Sequence, residues 1–187
     1  SQILLIIGLV FVYLFSIRRL PHGTPEFWSL IAFLNIGTAG FVIAALGLRF
    51  TFPAISLEGK GWWILKSAPV STGQIMRQKL LFSAIPTLLV ALVLGAMTTT
   101  FIGADGFTTR LSVGALLVVA LVLCGMGIGL GALFPRFTVE NIHQIESSVG
   151  GFVYMASALF YIGLTLAVLA WPMRMHFQTL MGNKAAW

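Results

Sequence analysis

The sequence predicts an all-α membrane protein with about five transmembrane helices and a further helix lying on the cytoplasmic membrane face. Three features of the chain say so. Its 187 residues are 58% hydrophobic and only 9% charged, whereas soluble domains carry about 25% charged residues. Five long apolar runs contain no Asp, Glu, Lys or Arg. The remaining cations gather between the runs: segment 49–79 holds five of the eleven Lys and Arg residues and a single acid, Glu58. The whole chain averages a mean hydropathy of +0.99.

A helix needs roughly 20 apolar residues to cross a ~30 Å hydrocarbon core. Runs 27–48, 80–102, 111–133 and 149–171 have 22 or 23 residues each and meet that length. The first run, 3–17, has 15 residues and reads as cut into. The chain starts at Ser1 with neither a basic n-region nor a cleavage site, so no signal peptide is expected. A fragment of a longer polypeptide, incomplete at both ends, is expected instead. Barrel strands alternate over about ten residues, whereas these runs are apolar on every face.

The connections are of two kinds. Segments 18–26 and 103–110 are short turns, broken by Pro21, Gly23 and Pro25 and by Gly103 and Gly106. Segments 49–79 and 134–148 are longer and partly helical. The positive-inside rule places 49–79 in the cytoplasm, and 134–148 with it. Arg18 and Arg19 then fall outside, against five cations on the inner side.

In segment 49–79, Thr51 is expected to cap a short helix with Pro53 near its start, where a missing N–H costs little. Trp62 and Trp63 belong at headgroup level, with Lys60 and Lys66 snorkelling beside them. Ser67-Ala68-Pro69 ends this helix. Ser71-Thr72-Gly73-Gln74 fits a capping box, Ser at the N-cap and Gln three residues on. A second helix then runs through Met76, Arg77 and Lys79 into the next span. The expected whole is an ordered helix–break–helix along the membrane face.

Phe134-Pro135 stops the fourth run. Val139, Ile142, Ile145 and Val149 recur at helical spacing, with Glu140, His143, Gln144 and Ser147 on other faces, which predicts an amphipathic lead-in to the fifth span. The tail, 172–187, is too polar to cross a bilayer and receives no assignment. Within the spans, Pro86 is expected to kink its helix. Asn35, Thr38 and Thr98 to Thr100 are expected to bond backbone carbonyls.

Several chemistries have little support. The cations show no basic stripe interleaved with aromatics, so nucleic acid is not an expected partner. Cys124 is the only cysteine, which rules out a disulfide within the chain. Glu140 and His143 have the Glu-x-x-His spacing of di-iron bundles, but the spans supply no further carboxylates. Gly125, Gly127, Gly129 and Gly131 form two overlapping Gly-x-x-x-Gly pairs inside an apolar run. They predict close helix packing; no strand precedes them, as a nucleotide loop would require. No cofactor, metal or catalytic residue is expected.

Two separate motifs carry a family resemblance. The first is Phe52-Pro53, then Ser56-Leu57-Glu58-Gly59, Trp62-Trp63, Ser67-Ala68-Pro69, Ser71 and Lys79. The second runs Gly129 to Phe137, including Phe134-Pro135, followed by Glu140-Asn141 and Gly150-Gly151 with Tyr154-Met155. In this order they resemble type 2 ABC transporter permeases, and within them a branch of ABC exporter permeases. The resemblance covers most of 49–171.

It implies a plasma-membrane transport subunit with ATP hydrolysed on a separate cassette ATPase, and a second permease copy or half. It also implies that the first motif, Ser56 to Lys79, is an ATPase-coupling segment. Physically, a capped helix fused to a span transmits a push, and a flexible linker does not. Glu58 would pair with a cation on the partner or within the segment. The plainer alternative is a helix that only anchors the fold at the interface. The competing functions are an ATP-independent carrier or channel and, with less support, a membrane enzyme. The absence of an intramembrane charge argues against ion coupling.

Overall fold

The computed structural model describes residues 25–61, 67, 69, 71–102, 106–137 and 142–184, together with Gly8, Phe11, Val12 and Phe15. The regular elements among them are all helical: α1 (Pro25–Phe50), two 3-10 turns (Phe52–Ala54 and Ser56–Gly61), α2 (Thr72–Ile102), α3 (Gly106–Leu133), α4 (Ile142–Glu146) and α5 (Val149–Lys184). Four helices are long and apolar enough to cross a membrane. The all-α membrane architecture therefore stands. The expected span 3–17 lies mostly outside the described residues, as do Trp62, Trp63, Glu140 and Asn141.

α1 begins at Pro25, where the missing N–H is harmless. α2 is 31 residues long, about 46 Å at 1.5 Å per residue. That exceeds the ~30 Å hydrocarbon core, so roughly ten residues of α2 stand clear of it. α5 runs 36 residues, straight through Pro172 to Lys184. The polar tail, unassigned from its composition, is thus a helical extension of the last span. Met173 explains part of this, being 3% exposed and packed inward.

The core lies where α1, α2, α3 and α5 meet, around Ile43, Leu94, Leu116, Leu123 and Ala158. A second cluster of Phe52, Ile145 and Tyr154 closes the end of the bundle that carries the long connections. Large side chains such as Phe82, Phe152, Phe160 and Trp171 point outward, which costs nothing against lipid tails as apolar as they are. Span hydroxyls bond back to their own helices: Thr38 to the Asn35 carbonyl at 3.0 Å, Thr99 to Gly95 at 2.8 Å and Thr100 to Met97 at 2.8 Å. This is the local carbonyl bonding expected of Thr38, Thr99 and Thr100.

Candidate functional site

The chain does not leave the bundle at the end of α1. The Thr51 N–H still donates to the Gly47 carbonyl at 2.9 Å, and Phe52–Ala54 then tightens into a 3-10 turn with Pro53 near its start. Thr51 and Phe52 are both fully buried. The expected cap at Thr51 is absent: its backbone is itself helical (φ −86°, ψ −47°), and its hydroxyl has no hydrogen-bond partner. Nor does this part lie along the membrane face. Phe52 is drawn inward because an apolar pocket receives it, its ring 6.0 Å from that of Tyr154.

Glycines make the room. A Cβ at Gly127 would come within 2.8 Å of Thr51 Cγ2, and one at Gly131 would overlap the Phe52 carbonyl oxygen. A Cβ at Gly150 would lie 2.9 Å from the Phe52 ring and 2.6 Å from Phe134 Cβ. Gly125 and Gly129 meet nothing within 4 Å. Close approach at Gly127 and Gly131 is therefore between α3 and the 3-10 turn of the same chain. Segment 51–56 is a wedge driven between α3 and α5.

The outer end of the wedge is bonded on two sides. The Arg136 N–H donates to Ser56 Oγ at 3.1 Å, across 80 residues of sequence. Lys79 Nζ donates to the Ala54 carbonyl at 2.9 Å and forms an ion pair with the Glu58 carboxylate. Glu58 thus has its cation within the segment. Gly59 (φ 50°, ψ −128°) turns the chain onward, in a backbone region that side-chain-bearing residues avoid.

Beyond it, the Ser71 N–H donates to Gln74 Oε1 at 3.0 Å and the Gln74 N–H to Ser71 Oγ at 3.3 Å. These reciprocal bonds are the expected capping box, and α2 continues from it without a break through Lys79. Ser67 and Pro69 are exposed before it. A cavity of about 630 Å³ opens beside this joint, walled by Phe50, Leu57, Phe82 and Pro86 with Glu58 and Lys79 at its edge.

α3 stops at Leu133, ahead of Pro135, which offers no N–H to continue it. The α4 turn puts Ile145 into the Phe52 cluster, while Val149 is 68% exposed. The expected apolar stripe is therefore not inward along its whole length. Glu146, unremarked in the sequence, lies 3.8 Å from Arg49 Nε and 3.4 Å from His143 Nδ1. Its carboxylate is only 13% exposed. The signal was present in outline, since an acid three residues after a histidine at a membrane boundary needs a cation.

The first motif and the Phe-Pro-Arg of the second meet at the Ser56–Arg136 bond, on one end of a bundle of membrane-length helices. That defines a membrane-embedded protein with an ordered connector braced against its spans. A family model described as "Putative ATP-binding cassette" matches residues 1–187, the whole chain. The chain belongs to that family and is an ABC-transporter-related membrane protein. No curated protein and no solved structure matches it.

Proposed function

We propose that the chain is the membrane-spanning permease subunit of a type 2 ABC exporter in the plasma membrane, with ATP hydrolysed by a separate subunit. The family supports an ABC system. The helical, apolar architecture supports the membrane side of it rather than the cassette. A cassette also needs a Gly-x-x-x-x-Gly-Lys-Ser/Thr phosphate loop, and the sequence contains none.

The observation that carries the reading is the braced connector. Ser56 is tied to the end of α3, and Glu58 and Ala54 are tied to Lys79 in α2. A push on exposed Leu57, or on the capped start of α2, reaches three spans without passing through slack chain. Glu58 acts inside this brace rather than as a charge presented to the partner. Ser67, Pro69 and Ser71, at the exposed lip, face the ATPase. A second permease copy or half completes the translocation path.

The test is purification from native membranes. A nucleotide-hydrolysing cassette subunit co-elutes with the wild-type protein. Glu58→Arg sets two cations together at Lys79 and lowers transport-linked ATP hydrolysis at least tenfold, about 1.4 kcal/mol of lost coupling. If no ATPase co-elutes and Glu58→Arg transports normally, an ATP-independent carrier replaces this reading.

A further inference from the structure

The wedge is not held equally on its two sides. Toward α2 and α3 it has directional bonds: Lys79 to Ala54 and Glu58, and Arg136 to Ser56. Toward α5 it offers ring packing on Tyr154 and contact with Gly150. The hydroxyls of Thr51 and Tyr154 are buried there without hydrogen-bond partners. Above it, α5 crosses α1 on glycines: Gly37 against Leu166, Gly40 against Ile162 and Gly47 against the Tyr154 hydroxyl.

Such a seam is smooth and apolar. In a bilayer, no hydrophobic gain opposes its rearrangement, because lipid replaces the lost contacts. At this end the seam is fastened by an ion pair, Arg49 to Glu146 at 3.8 Å. That pair is itself incompletely satisfied, since Glu146 Oε1 is buried and makes no hydrogen bond.

We propose that the Arg49–Glu146 pair is a release latch. When it opens, α4 and the start of α5 move off the Phe52 wedge, and the wedge stays with α2 and α3. The bundle then has two bodies: one that receives force through the connector, and one, α4–α5, that is let go. Buried hydroxyls left unpaired in the latched state favour the released one, where water or lipid headgroups reach them. The coupling reading supplies the purpose of this motion; the motion itself is read without nucleotide or ATPase. Failure of the latch is thus distinguishable from failure of that reading.

The experiment is pulsed electron–electron distance measurement on the protein in lipid nanodiscs, with Cys124→Ala as background. Spin labels go on exposed positions Leu57 of the connector, Leu133 of α3 and Phe152 of α5. Glu146→Gln and Arg49→Gln each displace the Leu57–Phe152 distance by roughly 2–5 Å, the scale of helix shifts and one-turn ratchets. The Leu57–Leu133 distance stays put, which also shows that the variants are folded. The double swap Arg49→Glu with Glu146→Arg restores the wild-type Leu57–Phe152 distance. The proposal is overturned if either single variant leaves that distance unchanged, if both distances move together, or if the swap restores nothing.

Discussion

A methyl group on Gly131 would strike the Phe52 carbonyl, and one on Gly129 would strike nothing. Gly131→Ala should therefore cost about 1–3 kcal/mol, the range for overpacking a filled interior. Gly125→Ala and Gly129→Ala should stay within about 0.5 kcal/mol of wild type. Thermal unfolding in one detergent ranks the three. In the sequence these glycines look alike, and helical spacing only sorts them into two faces. Which face is filled depends on Phe52, an apolar residue in a basic connection whose destination no local pattern records. The Glu58–Lys79 pair was half legible, because Lys79 was one of several available cations. The Ser56–Arg136 bond was not legible, because nothing in a serine names a backbone N–H 80 positions away.

The helices were easier to read than their joints. Charge-free runs of 22 or 23 residues have few alternatives to a membrane helix, and the capping box is a four-residue pattern whose partners lie within reach of each other. Ser71→Ala should remove about 1 kcal/mol from the start of α2. Hydrogen exchange should then quicken at the amides of residues 72–75 and remain unchanged in α3. Unchanged exchange at residues 72–75 would mean the cap does not stiffen the connector. The polar end of α5 escaped because composition reports only what can cross hydrocarbon. A helix that continues past the membrane needs no apolar surplus, and Pro172 removes only one backbone donor within it.

Across the molecule, both long connections meet at one end, and the short turn between α2 and α3 lies at the other. The wedge, the brace and the latch all belong to the first end, and coupling requires that end to face ATP. Gln74, exposed at the start of α2, and Phe107, exposed at the start of α3, report the two ends. In a Cys124→Ala background, a membrane-impermeant maleimide tests Gln74→Cys and Phe107→Cys in intact cells and in inverted vesicles. The brace as a receiver of force from a cytoplasmic ATPase predicts Gln74→Cys labelled only in inverted vesicles and Phe107→Cys only in intact cells. Labelling of Gln74→Cys from outside intact cells would contradict it.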